Sequence, residues 1–403
     1  MRVGVGYSEN PDTTRGGIQA AMEALKQAGQ EKPCDLALLF ATARHEARLL
    51  REAVVSVVGP ATPIVGGASI GAIYKVRYGY AGDQIILAAV WLEGAGCEIV
   101  VEGGLAEGER ETGRRLGAKL AALGLSPSSQ AALFYDAIDA SGGGMRMLMG
   151  TPLLAGLEDS LGFLPELIGA GLMGDYICSP TEQWTGGGVA AHQALGLVFS
   201  GGVRLDSVIM HGCLPATAYY TVTRADQQTI LEIDGRPALT FVRQLLGPLI
   251  PLESYPFFLI FGVNKGEKWG EFEEKSYAGR LCLALDRARD GIVMFEPDMV
   301  EGTEFQIMLR SLDLDYIPPR VESLFAKLEG EGRAPVFALY VDCAGRAAGY
   351  AGLDLEDALA VQRAVADRAP LMGIYTGAEI APVRGRPSCL DWTGVFCLFS
   401  VPK

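Results

Sequence analysis

Pro63-Ile-Val-Gly-Gly-Ala-Ser-Ile-Gly-Ala-Ile73 decides how this chain is read, because its pattern returns twice. Glu166-Leu-Ile precedes Gly169-Ala-Gly-Leu-Met-Gly-Asp-Tyr176, and Pro370-Leu-Met precedes Gly373-Ile-Tyr-Thr-Gly-Ala-Glu-Ile380. The three copies align without gaps, and a repeat outranks other organisational signals. Each follows an apolar strand and then a helix, at 36–42 and 46–58, 131–136 and 145–161, and 337–342 and 355–366. Such alternation predicts an α/β fold of mixed sheets with helical layers. The glycines predict a tight hairpin at each copy.

A longer duplication surrounds this motif. Tyr80-Ala-Gly-Asp followed by apolar runs to residue 101 resembles Tyr277-Ala-Gly-Arg followed by apolar runs to 295, and both read as hairpins. Helical stretches are expected next, at 109–123 in one case and at 303–312 and 319–328 in the other. Buried strands ending in Asp136 and Asp342 follow, and each set closes on a strand ending in Ser200 or Ser400. The near-constant offset predicts two pseudo-duplicated halves, each a layered α/β domain, spanning 1–215 and 216–403.

The 403 residues are long enough for two such domains, and 49% apolar against 20% charged residues supplies a substantial core. A net charge of −14 argues against nucleic acid as a partner, since a phosphate-backbone binder needs a concentrated basic face. No uncharged apolar run approaches the ~18–20 residues of a membrane span, and no signal peptide is visible at the start. The eight cysteines are widely spaced and form no CxxC pair. Reduced structural thiols in a cytoplasmic protein are therefore expected.

Several residues could carry chemistry. Gly67-Ala-Ser69-Ile-Gly71 matches a nucleophile elbow, but the Ser69 slot is Leu172 and Thr376 in the other copies, and extended chain follows where an elbow needs a helix. Asp136 and Asp342 end their strands, where ligands of α/β sheets collect, and Asp175 and Glu379 hold matching places in the glycine motifs. Cys343-Ala-Gly-Arg346 sets a thiol and a guanidinium beside two acids. An Arg with a carboxylate suits a zwitterion such as an amino acid; the same pair can equally be a structural bridge, Arg346 with Glu379 or Asp342. Cys343 is a possible nucleophile, with a buried strand-end thiol as the alternative. The three histidines lack metal-ligand spacing, so no metal site is expected; His211, ending an apolar strand, is a possible axial haem ligand or simply a core histidine. Nucleotide-binding glycine motifs fail.

Taken in order, Asp35-Leu-Ala-Leu-Leu-Phe40, Pro63–Ser69, Val222-Thr-Arg224 with Leu231–Leu239, Val300-Glu-Gly302, Asp342-Cys-Ala-Gly-Arg346 and Gly373–Pro382 resemble the FIST sensory proteins, which join a FIST-N and a FIST-C domain. The resemblance implies a ligand-binding module in intracellular signal transduction, without a cofactor, that passes its signal to a separate protein. Small ligands such as amino acids have been proposed for the family, and one branch is described as a haem-binding nitric-oxide sensor. Three departures stand out: Ala68 where Cys is frequent, Ala72 where Glu is common, and Leu390-Asp-Trp-Thr393 where Asn before Thr is usual. The expected site is Arg346, Glu379, Asp342 and Tyr375 between the halves, with Asp136 and Asp175 as pseudo-symmetric counterparts. Haem at His211, or catalysis by Cys343 or Ser69, are the competing readings.

Overall fold

The computed structural model describes residues 1–30, 33–142, 144–256, 258–311 and 313–403. Apolar runs such as Leu36–Ala41, buried at every position, become central strands because both of their faces are covered. Three mixed six-stranded sheets result, and they share one strand order. The first runs Arg2–Ser8, Ile85–Trp91, Leu36–Ala41, Ile64–Ala68, Gln183–Gly186, Val189–Ala190. The second runs Gly96–Glu102, Ala194–Ser200, Gln130–Asp136, Glu166–Leu172, Ala378–Val383, Arg386–Leu390. The third runs Arg204–Met210, Gly394–Pro402, Arg333–Cys343, Leu371–Thr376, Gly71–Tyr74, Arg77–Tyr80. In each, the third and fourth strands are the parallel pair, joined by a helix.

The backbone thus follows the shorter repeat, three times. The glycine motifs are not hairpins: each carries the chain from one sheet into the next. Ile64–Ala68 lies in the first sheet and Gly71–Tyr74 in the third; Leu371–Thr376 lies in the third and Ala378–Val383 in the second. From Glu166–Leu172 of the second sheet the chain returns to the first through Gln183–Gly186. The cycle closes. Glycine is needed where the crossing strand lies hard against its parallel neighbour: a Cβ on Gly66, at φ +134°, would sit 2.1 Å from the Leu39 carbonyl oxygen, and one on Gly169 1.8 Å from that of Leu133.

Inner faces of all three sheets share one core, in which Phe40 packs edge-on to Phe134 and Phe199 edge-on to Phe399. Helices cover the outside, among them Thr13–Ala28, capped by Asp12, and Ala47–Val58, capped by Glu46. Between Arg204–Met210 and the helix Ile317–Gly330 a separate β-sheet is inserted. It closes on itself, because Glu304–Arg310 pairs with both Tyr220–Asp226 and Ile260–Asn264. Its core holds Phe261, Phe305 and, from the helix Ala238–Leu246, Phe241.

Several expectations change here. Residues 303–310, expected to be helical, form the strand Glu304–Arg310, because Phe305 and Ile307 alternate toward the barrel core; Leu312, the end of that expected helix, lies outside the described residues. Tyr277–Asp286 and Gly291–Met294 pair as expected, but Ile85–Trp91 and Gly96–Glu102 belong to different sheets. The turn between them leads from one repeat to the next. A cut at residue 215 would split the third sheet, which takes Gly71–Tyr74 and Arg204–Met210 from one side and its remaining central strands from the other.

The barrel docks through buried carboxylates. Glu296 accepts from the Gly150 and Thr151 amides at 3.0 and 2.8 Å, capping the helix Gly150–Leu161 whose own N-cap residue, Met149, offers no side-chain bond. Glu296→Gln keeps one acceptor and turns an NH2 toward the other amide. Urea unfolding should show a loss of about 1–2 kcal/mol; an unchanged midpoint would show that this cap contributes nothing.

Candidate functional site

Four residues beyond Gly66, Gly169 and Gly373 stand Ile70, Met173 and Gly377, the positions where the chain changes sheet. All three line a single cavity of about 100 Å3. The strand tips therefore converge at the pseudo-threefold axis, and the barrel roofs the space with Leu281, Leu283 and Phe295. Met145 and Met147 complete a mainly apolar wall, to which Cys343, Thr376 and Asp391, with Tyr176, Cys178 and Tyr350, add polar groups. A Cβ on Gly377 would lie 2.3 Å from Met173 Sδ, so a side chain there would displace Met173.

Behind the cavity lies a fully buried polar cluster. Arg346 is 0% exposed and uses all five of its N–H donors. Nε donates to Asp342 Oδ1 at 3.1 Å, Nη1 to the His211 and Trp392 carbonyls at 2.8 and 3.2 Å, and Nη2 to Tyr316 Oη at 2.9 Å and to Asp357 Oδ2. Nothing remains to grip a ligand carboxylate. The structural bridge to Asp342 is the arrangement observed, and the fork expected to hold a zwitterion is saturated. Tyr375 is also buried and donates to Glu356 Oε1 at 2.9 Å.

Glu379 accepts from the Thr393 amide at 3.2 Å and from Thr376 Oγ1 at 3.3 Å. Burial, with Asp391 and Asp342 close by, pushes its carboxyl well above the ordinary range. Asp342 is pushed up to about 7 by burial, although Arg346 pulls the other way. Asp391 reaches about 7 for the same first reason, with Arg280 opposing and Glu296 adding to the rise. Its Oδ2 accepts from the Leu281 amide at 3.0 Å, whereas its Oδ1 and Asp342 Oδ2 have no hydrogen-bond partner. Burial thus favours the protonated form of each carboxyl, against the pull of Arg346 on Asp342 and of Arg280 on Asp391.

The expected counterparts fall elsewhere. The Asp136 amide donates to the Gln193 carbonyl as the Cys343 amide does to that of Thr393, so Asp136 matches Cys343 and not Asp342. A one-residue slip reverses the face a side chain occupies. Asp136 instead fastens a loop, accepting from Thr181 Oγ1 at 2.6 Å and the His192 amide at 2.9 Å. Asp175 lies in the loop after Met173, half-buried, and caps the Ile177 and Ser179 amides. The true counterpart of Glu379 is Gln183, which pairs with Gly67 as Glu379 pairs with Ala170 and accepts from the Gln193 amide.

The competing chemistries lack their geometry. Burial pushes the Cys343 thiol well up, opposite to an activated nucleophile. Ser69 is fully buried, its hydroxyl is without a hydrogen-bond partner, and a strand follows it. His211 has both ring nitrogens engaged, Nε2 with the Glu274 carbonyl and Nδ1 with the Cys213 amide, and the space beside it is about 10 Å3. These residues do not fit a haem. Among the described residues no group of three His, Cys, Asp or Glu could hold a metal ion, and no helix is long and apolar enough to cross a membrane.

Comparison with known families settles the relationship. A FIST N domain matches residues 35–236 and a FIST C domain residues 238–382. The chain belongs to the FIST family. FIST domains are a sensory and signal-transduction family. Uncharacterised proteins of Mycobacterium bovis and Mycobacterium tuberculosis are 26% identical to it over 99% of this chain and 99–100% of their own length. The PurLQS structure from Thermotoga maritima is similar at a TM-score of 0.23 and 10% identity, covering 99% of this chain and 72% of that one, which is too low to bear on the fold.

Sequence reasoning missed most of the cavity wall in this FIST protein. Asp391 and Trp392 stand in the motif that departs from the family pattern. Trp392 occupies a left-handed conformation, φ +55°, which Asn adopts more readily, and so does its counterpart His192 at the same φ. The tryptophan ring packs against Gly345, which lines the cavity. That departure was the available signal.

Proposed function

We propose that this FIST protein is a sensory module whose ligand is a small, mainly apolar, uncharged molecule held on the pseudo-threefold axis. The convergence of Ile70, Met173 and Gly377 on one cavity carries the reading. Cavities of ~150 Å3 lined by apolar side chains hold benzene, so about 100 Å3 suits a molecule of similar or smaller size. A ligand hydroxyl or amide would meet Asp391, Thr376 or Cys343, and the saturated Arg346 disfavours a zwitterion. Because the cavity lies between the three-sheet body and the barrel, occupancy couples to their docking, and a signalling partner that touches both would read it. Eight free cysteines suit a reducing, cytoplasmic setting.

Thermal unfolding with a panel of small aromatic and aliphatic alcohols, and separately amino acids, tests this. A fitting molecule at about 100 times its Kd stabilises by about 2.7 kcal/mol, and Ala344→Leu, which fills the wall, should abolish the shift. Equal shifts in wild type and Ala344→Leu, or shifts from amino acids alone, would overturn it.

A further inference from the structure

A second cleft, of about 420 Å3, opens on another side of the molecule where the barrel meets the helix Gly150–Leu161 and the strand Arg386–Leu390. Its volume lies within the range of small-ligand sites, roughly 300–1,000 Å3. The walls carry four cations, Lys265, Arg280, Arg384 and Arg386, against two carboxylates, Glu158 and Asp298. That balance is unexpected in a chain of net charge −14.

The cations are not equally occupied. Arg280 is buried and held by Asp298 at 2.5 and 2.6 Å and by the Gly279 and Cys389 carbonyls. Arg386 spends one nitrogen on Glu158 at 2.7 Å, and Arg384 one on Glu273 at 2.9 Å; both retain free donors. The Lys265 ammonium makes no ion pair among the described residues, yet lies within electrostatic reach of Arg280 and Arg386. Partial desolvation holds it below its ordinary value; Asp298 pulls the other way, and each of the two guanidiniums adds a smaller repulsion. Leu154, Leu164 and Pro387 supply an apolar floor beside the charges.

From this convergence we infer an anion-binding site, distinct from the axial cavity, for a small multiply charged molecule bearing phosphate or carboxylate groups. Lys265 would meet it as a point charge, and Arg386 and Arg384 through their free N–H pairs. Because the barrel contributes Lys265 and Arg280 and the sheet body contributes Arg384 and Arg386, a bound anion would bridge the two.

Isothermal titration of the full chain with pyrophosphate and with citrate tests the site and separates the two anion types. One or both should bind, more weakly as salt rises, and Lys265→Met with Arg386→Met should weaken binding on the order of tenfold or more. Lys26→Met, on a remote helix, should leave it unchanged, and circular dichroism should show the double variant folded. No heat from either anion at low salt, or undiminished binding by the folded double variant, would overturn the inference. Neither result depends on the axial cavity, which Ala344→Leu tests separately.

Discussion

Arg346→Met is expected to cost about 3–5 kcal/mol of stability, because removing one partner leaves buried charge and unpaired acceptors behind. The guanidinium satisfies Asp342, Asp357, Tyr316 and two carbonyls from different parts of the chain. Asp357 would keep Arg310, at 3.0 and 3.2 Å, but Asp342 would lose its charged partner. Lysine is no rescue: one ammonium with three donors cannot serve five acceptors spread around a planar fork. Asp342→Asn added to Arg346→Met should recover part of the loss. Urea unfolding of the three variants checks this, and a loss below about 1 kcal/mol for Arg346→Met would show the residue to be solvated, as surface pairs are.

The second large effect is a dependence on pH opposite to that of a salt-bridged carboxylate. Asp342 and Asp391 are pushed up to about 7 in the folded chain, from an unfolded value near 3.9. Between those values the folded state holds more protons than the unfolded one, so their contribution to stability falls as pH rises from about 4 to about 7, then levels off. The contribution is fully present only at the acid end. Asp391→Asn keeps an acceptor for the Leu281 amide and cannot ionise. Relative to wild type it should gain about 2–3 kcal/mol more at pH 8 than at pH 5, by the two units of titration removed. Equal effects at both values would place the Asp391 carboxyl near its ordinary range.

The same cluster shows how far residue order could be read. That Asp342, Cys343 and Arg346 share a strand end was legible, since they are adjacent in sequence. That Glu379 joins them followed from the glycine repeat, and the structure does bring it close. The pairing of Asp136 with Asp342 was not secure, because one residue of register decides which face a strand side chain occupies. Asp175 misled for a related reason: the loop 173–182 is longer than its counterparts, so Gln183 takes the place its alignment suggested.

Local chemistry was thus sufficient for the α/β class and for the threefold glycine motif, though the motif read as a hairpin and is a crossing, because buried apolar runs and close strand approach are properties of short stretches. Which sheet each crossing strand enters, the closure of the barrel, the saturation of Arg346 and the two cavities were decided only by tertiary structure. They depend on groups between 11 and 135 residues apart, such as Arg346 with Asp357 and with His211, and no local pattern records how many donors such a group will spend.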